Sequence, residues 1–278
     1  LLKNINGAYT IHVVRVSFII NNHIIKFVDR NIIDFRFCRL CHRYYLIICS
    51  YIRYIITPNL IIKKVISEIK TIFEKVDILV IDAYSTDGTY EQVKKNGANI
   101  IQIDKIFGIG LAIETGILFA YENDYDFLVR IDGDGQHSPS DVKDLLDFAV
   151  NSKSDLTIGS RFLNKSEYHP NYLRLYSIRL LRKLIKIFYK TEITDCTSGC
   201  QILSKGLIKE LINDEVFEYS EVGIICKTSI LEMSIKEKFI NMKERKTGTS
   251  SFNFKNSFIY MFKNILILLS SININFKK

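Results

Sequence analysis

The chain has 278 residues, 47% hydrophobic and 24% charged, enough to bury a large α/β core and too apolar for an intrinsically disordered protein. With 13 Gly, 3 Pro and no short repeat, collagen-like, proline-rich and solenoid architectures find no support. The net charge of +8 sits at the ends: residues 1–54 sum to +6, residues 55–240 to −4 and residues 241–278 to +6. A basic, aromatic-rich end on an acidic body suits anionic lipid at least as well as nucleic acid, and no nucleic-acid partner is expected.

Residues 1–54 mix Ile, Tyr, Arg and His without a helical or strand period, so no fold follows from them. Within them, Cys38-Arg39-Leu40-Cys41-His42 spells a c-type haem attachment string, which reads as coincidence. Six Cys in a chain of this size do not make a disulfide scaffold, and a reducing cytosol is expected. Residues 44–62 are apolar but broken by Arg53 and Pro58. An Arg in mid-membrane costs about 2.5 kcal/mol or more, which counts against a span.

From about residue 60 the texture becomes regular. A helix is predicted over Ile61–Phe73, whose apolar residues recur at three and four, and a buried strand over Asp77–Asp82. A turn at Ser85–Thr89 opens a helix through Tyr90–Lys95. A strand at Asn99–Ile103, a helix at about Gly110–Tyr121 and a second buried strand at Asp126–Ile131 follow. A helix from Ser138 or Pro139 to Val150 and a strand at Asp155–Ser160 continue an alternation that signals a mostly parallel sheet with right-handed crossovers. Beyond Arg161 come a basic amphipathic helix near Leu173–Tyr189, a loop at Thr194–Gly199, and helices near Lys205–Ile212 and Glu221–Met233. The tail Phe254–Phe276 is apolar and aromatic with Lys spaced through it. As a helix its uncharged run from Asn264 would cover only about 20 Å, so it is expected to lie in a membrane interface and not to cross it.

Asp132-Gly133-Asp134-Gly135-Gln136-His137 directly follows a strand, where open α/β sheets bind their ligands. Two carboxylates separated by one small residue can converge on one hard cation, and Gln136 adds a neutral oxygen. That oxygen-rich set suits Mg²⁺ or Mn²⁺ with positions left for phosphate oxygens, although Asp and Gly are also ordinary turn residues. An EF-hand loop is excluded, because Lys143 stands where its last Glu would be.

Five motifs occur in one order: Ile81 to Thr89, Arg130 to His137, Gly159-Ser160-Arg161, Asp195 to Gly199, and Glu244 to Ser251. Together they resemble glycosyltransferase family two, of the α/β GT-A nucleotide-diphospho-sugar transferase fold. The likeness is to the branch holding dolichyl- and polyprenyl-phosphate sugar transferases and cell-envelope polysaccharide enzymes, and it covers about residues 60–252. The resemblance implies a Rossmann-like sheet flanked by helices, a nucleotide-diphosphate sugar donor, a lipid-linked or glycan acceptor and a divalent metal. It implies that Asp82 and Asp87 hold the base and ribose, though Asp87 also suits a turn or helix cap. Asp132, Asp134 and Gln136 match the metal and ribose site, and Arg161 faces acceptor or phosphates or else makes a surface ion pair. Asp195 and Glu221 are candidates to orient or deprotonate an acceptor hydroxyl. Arg245, with Ser250 and Ser251, matches a loop closing over the donor phosphates, and His137 reads as structural or supporting.

The sequence departs from the family pattern. The expected Pro-x-Tyr-Asn-Glu turn is missing where Tyr54–Leu60 stands, Ala83 replaces a common second Asp, and Ile109 interrupts a Gly-rich turn. Residues 1–58 therefore read as an atypical segment, a disrupted first strand or a non-native stretch. The catalytic domain is expected over 59–252 and a basic, membrane-associating, amphipathic helical tail over 253–278. The function expected is an inverting, metal-assisted hexosyltransferase acting peripherally at the cytoplasmic face of a membrane. The alternative is a catalytically impaired nucleotide-binding relic. A dinucleotide oxidoreductase built on Gly108-Ile109-Gly110 is disfavoured, because Ile113 stands where the third Gly belongs.

Overall fold

In the computed structural model the described residues are 58–83, 85–103, 108–164, 170, 172–212, 220–242 and 261–269, with five strands before them traced by backbone alone. The chain divides into two units, Leu1–His42 and Arg43–Lys278. In the first, β1 (Asn4–Ile5) pairs antiparallel with β2 (Ala8–Tyr9), and β3 (Ser17–Ile20) with β4 (His23–Lys26).

The second unit begins with β5 (Tyr44–Ser50), a run of aromatic and β-branched residues that pairs in parallel on both sides. A parallel strand is thus present within residues 1–58, ahead of the Tyr54–Leu60 stretch where the missing turn was expected, and the unit that holds it begins at Arg43. The following elements are α1 (Pro58–Ile72), β6 (Asp77–Asp82), α2 (Thr89–Lys95), β7 (Asn99–Gln102), α3 (Gly108–Glu122) and β8 (Phe127–Asp132). Then come α4 (Pro139–Ser152), β9 (Leu156–Ser160), α5 (Tyr172–Tyr189), β10 (Gln201–Ser204), α6 (Lys205–Ile212), α7 (Glu221–Ile230) and β11 (Ile235–Phe239). Residues 261–269 form a last helix, α8. These confirm the predicted alternation from residue 60 onward and add β10 and β11.

The seven strands lie in the order β11-β9-β10-β8-β5-β6-β7. All pairings are parallel except those of β10, which runs antiparallel to β8 and β9. Alternation along the strands splits the core into two layers. Ile78, Val80, Val129 and Ile131 meet Ile62, Ile66 and Ile69 of α1 and Val142 and Leu145 of α4 on one face. Leu79, Ile81 and Leu128 meet α3, α5, α6 and α7 on the other. Arg130 and Asp132 follow Leu128 at intervals of two, so β8 aims them toward this second layer.

Leu268 of α8 is buried in the second layer, and Tyr189 Oη donates to its carbonyl at 2.7 Å. This stretch of the tail therefore packs its Asn264, Ile267 and Leu268 side against the domain. No described helix is long and apolar enough to cross a membrane.

Cys196, Cys200 and Cys226 are buried free thiols, all pushed up by burial, Cys226 to about 12. They stay protonated and inert at neutral pH. Alkylation of the native protein in mildly alkaline buffer, read by peptide mass mapping, is expected to spare all three until denaturant is added. Rapid native labelling of Cys200 would contradict the closed packing of its loop.

Candidate active site

The site forms at the carboxyl ends of β6 and β8, beside the loop 194–200 that leads into β10. Each predicted residue can be placed in turn. Asp82 is fully buried, and its carboxylate accepts from Ser85 N at 3.0 Å, from Gln102 Nε2 at 3.0 Å and from Ser85 Oγ. It shapes the turn after β6, with its oxygens committed to protein donors. Asp87 accepts from Thr89 N at 3.1 Å and Thr89 Oγ1 at 2.7 Å through Oδ1. Its Oδ2 is buried with no hydrogen-bond partner among the described residues. The turn role of Asp87 thus falls on Oδ1 alone.

Asp132 closes β8, and the carboxylate lies directly against the α-carbon of Gly199. A Cβ at position 199 would stand 2.3 Å from Asp132 Oδ2 and 2.7 Å from its Cγ, so only glycine leaves room for this carboxylate. His137 Nε2 is 3.8 Å from Asp132 Oδ2, and neither ring nitrogen makes a hydrogen bond among the described residues. Although 34% of the Asp132 side chain still faces solvent, its surroundings are otherwise dense. That burial pushes the carboxyl up, but His137, Arg130 and Arg161 outweigh it and hold the group down at about 2. Asp132 is thus an anion at any physiological pH.

Past Asp132 the chain turns sharply. Asp134 Oδ1 accepts from Gln136 N at 3.1 Å, an Asx turn, and Gly135 adopts φ +74 with Ile61 and Val65 of α1 behind it. His137 then makes a bridge with Met242, and Ser138 and Pro139 start α4.

Arg161 and Asp195 are each other's main partners. Arg161 Nε and Nη2 donate to Asp195 Oδ2 and Oδ1, both at 2.7 Å, and Nη2 also donates to Thr197 Oγ1 at 2.8 Å. The side chains are 3% and 0% exposed, so this is a buried bidentate pair. Arg161 is thus in an ion pair, but a buried one and not the surface pair expected as the alternative. Glu221, the first residue of α7 after the Ser220 cap, is buried with its Oε1 accepting from Arg130 Nη2. Asp195 and Glu221 are therefore engaged with guanidinium groups. Arg245, Ser250 and Ser251 lie outside the described residues, as do residues 51–57 and the Cys38–His42 string.

Four further residues build this site beyond those given a role from the sequence. Arg130 stands two positions before Asp132 on the same strand face, and a lone Arg in an apolar strand was the available signal. Gln201, on the same face as Arg130, receives Arg130 Nη1 at 3.5 Å. Glu237 of β11 accepts from Thr194 N at 2.7 Å and Asp195 N at 2.9 Å, fastening the loop. Gly199 was seen as part of a motif, but its contact with Asp132 was not.

Among the described residues no cluster of three or more His, Cys, Asp or Glu could by itself cage a metal. The donor set Asp132, Asp134 and Gln136 nevertheless fits Mg²⁺ or Mn²⁺, which take a few protein oxygens and complete their shell with water and phosphate. Asp132, ionised and a third exposed, is a hard oxygen donor of the required kind.

The chain belongs to glycosyl transferase family 2, whose model matches residues 45–212. The protein MJ1222 of Methanocaldococcus jannaschii is 30% identical over 151 residues, 53% of this chain and 61% of that protein, so the chain spans less than two thirds of this relative. A UDP-N-acetylglucosamine–dolichyl-phosphate N-acetylglucosaminyltransferase of Methanococcus voltae is 29% identical, over 56% of this chain and 71% of the relative. The polyprenol monophosphomannose synthase of Mycolicibacterium smegmatis is 25% identical, over 68% and 75%. Glucosyl-3-phosphoglycerate synthase from Mycobacterium tuberculosis, solved with Mn²⁺, uridine diphosphate and phosphoglyceric acid, superposes with a TM-score of 0.61. It is 16% identical and covers 83% of this chain and 78% of that one, a likeness that shows the fold, GT-A.

Removing one partner of a buried ion pair leaves the other charge stranded, at a cost of about 3–5 kcal/mol. Arg161→Met is expected to lower the unfolding free energy by that order in denaturant titration, and the double change with Asp195→Leu to recover much of it. A loss within ~0.5 kcal/mol for Arg161→Met, as for an exposed substitution, would contradict the pairing.

Proposed function

We propose that the chain is an inverting, metal-assisted hexosyltransferase. It moves a sugar from a nucleotide-diphosphate donor to a polyprenyl phosphate, or to another lipid-linked or polysaccharide acceptor, peripherally at the cytoplasmic face of a membrane. The observation that carries this reading is the part-exposed Asp132 carboxylate at the end of β8, set against Gly199 and followed by the tight Asp134–Gln136 turn. Relatives named for dolichyl phosphate and polyprenol acceptors support the acceptor class.

In this reading Asp132, Asp134 and Gln136 hold the metal, and Asp87 Oδ2 accepts a hydrogen bond from the nucleoside. Mg²⁺ or Mn²⁺, when bound, supplies neutralisation of the charge that gathers on the departing diphosphate. An acceptor phosphate oxygen attacks the anomeric carbon from the face opposite the diphosphate. The new C–O bond forms as the old one breaks, and the nucleoside diphosphate leaves with the bonding pair, which inverts the centre. Such an acceptor is already anionic and needs no base, which agrees with Asp195 and Glu221 being paired to Arg161 and Arg130. Those two carboxylates then act by positioning, one bracing the loop under Asp132 and the other bracing β8. Arg245 and Ser250 are proposed to close over the donor phosphates.

The relic alternative rests on residues 51–57, the connection after β5, which contain no Asp or Glu. Transfer of radiolabelled sugar from UDP- and GDP-hexoses to a polyprenyl phosphate, with and without Mn²⁺, separates the two. Metal-dependent lipid-linked product is expected, and Asp134→Asn should reduce turnover by at least ~10² with folding unchanged. Nucleotide binding without turnover for any donor would favour the relic.

A further inference from the structure

Among the described residues nine large apolar side chains are exposed, and seven of them lie on two helices: Tyr172, Tyr176, Ile187 and Phe188 on α5, and Phe262, Leu266 and Leu269 on α8. On α5 the exposed residues Tyr172, Tyr176, Arg179, Lys183, Lys186 and Ile187 follow one another at three, four or seven positions or stand side by side. They make one stripe along the helix opposite its buried Ser177, Ile178, Leu181 and Ile185. Tyr172 is 92% exposed and Tyr176 63%, far beyond what packing requires of two tyrosines one turn apart. On α8, Phe262, Leu266 and Leu269 face away from the buried Asn264, Ile267 and Leu268. The hydrogen bond from Tyr189 Oη to Leu268 O ties the end of α5 to α8.

We propose that α5 and α8 together form a docking face for an anionic phospholipid bilayer, and that α5 is its main element. Charge selects the occupant. Helix α5 carries Arg174, Arg179, Arg182, Lys183 and Lys186 and no acidic residue, with Lys186 paired to Glu192 just beyond the helix at 2.6 Å, and residues 261–269 add Lys263 and again no acid. Two such faces repel one another, which disfavours a second copy of the chain. Tyrosines at one end, cations through the middle and aliphatic residues at the other match a surface where amphipathic rings and basic side chains meet headgroups and alkyl groups enter the acyl boundary.

The face also bears on the site. Cys196 Sγ donates to Ile178 O at 3.9 Å, so α5 packs against the same loop that brings Asp195 to Arg161 and Gly199 to Asp132. Docking through the stripe on the opposite side of α5 sets that loop about one helix diameter (~10 Å) from the headgroups, where the phosphate of a lipid acceptor lies. This consequence rests on the proposed transferase function, whereas the docking itself does not.

The test is co-sedimentation of the full chain with phosphatidylglycerol-containing and with pure phosphatidylcholine vesicles, beside sugar transfer to a short-chain polyprenyl phosphate in detergent. Wild-type protein is expected to sediment with the anionic vesicles only and to be released by salt. Each cation near the surface strengthens partition by about five-fold, so Arg179→Gln with Lys183→Gln should weaken it by about 30-fold. Tyr172→Ser with Tyr176→Ser should weaken it as well, and all variants should keep the wild-type circular dichroism and detergent transfer rate. Absence of wild-type binding to anionic vesicles, equal binding by the variants, or a dimer in sedimentation that the same substitutions break would each overturn the docking face. Transfer in detergent without vesicle binding would remove the face and leave the function standing. Vesicle binding without transfer from any donor would do the reverse.

Discussion

Contact between the Asp132 carboxylate and the bare α-carbon of Gly199 is the constraint around which the site is arranged. Any side chain at 199 would claim the volume the carboxylate occupies. The carboxylate needs that volume because β8 is a central strand, with β5 on one side and β10 on the other, and its end cannot shift sideways. The chain brings Gly199 there by running the loop 194–200 back across the sheet and into β10, antiparallel to β8. The loop is fastened first by Glu237, which takes the N–H groups of Thr194 and Asp195, and then by Ser198 Oγ, which donates to Gly159 O at 2.6 Å.

Two buried ion pairs give this arrangement its electrostatics. Burying charges in an apolar layer is costly, and the cost is offset only where geometry and hydrogen bonding are nearly complete. Arg161 meets that condition with two 2.7 Å contacts to Asp195 and a third donor on Thr197. Arg130 meets it only in part, with Glu221 at the start of α7, where the helix dipole also favours a carboxylate, and with Gln201 Oε1 at 3.5 Å. Within their own pairs the charges nearly cancel. Toward Asp132, however, both guanidinium groups act as cations and add to the larger influence of His137 in holding that carboxyl down despite its dense surroundings. The same cations would lie near a bound diphosphate, so the pairs brace the loop and shape the field around the recess together.

The parts legible in the sequence were those written locally. The strand β8 with its Asp132–His137 turn, the helix after it and the order of strands from β6 to β9 follow from period and turn chemistry alone, and the structure confirms them. Strand β5 escaped because isoleucine is so abundant in residues 1–62 that its apolar run does not stand out from its neighbours. Strand β10 is four residues long with no clear alternation, while β11 alternates Ile235, Glu237 and Phe239 with Lys236 and Lys238 and could have been found. The ion pairs were not legible, since Arg130 and Glu221 are 91 residues apart and Arg161 and Asp195 are 34 apart. Sequence reading saw a set of catalytic carboxylates where folding makes two of them partners of arginine.

Electron paramagnetic resonance of Mn²⁺ titrated into the protein with a nucleoside diphosphate tests most directly whether Gly199 holds Asp132 for a metal–diphosphate site. Wild-type protein should show a bound-ion signal that depends on the nucleotide, and Asp132→Asn and Gly199→Ala should lose it to a similar degree. A Gly199→Ala protein that binds Mn²⁺ and nucleotide as the wild type does would show that the close contact does not set the position of the carboxylate, and the site would have to be built from other residues.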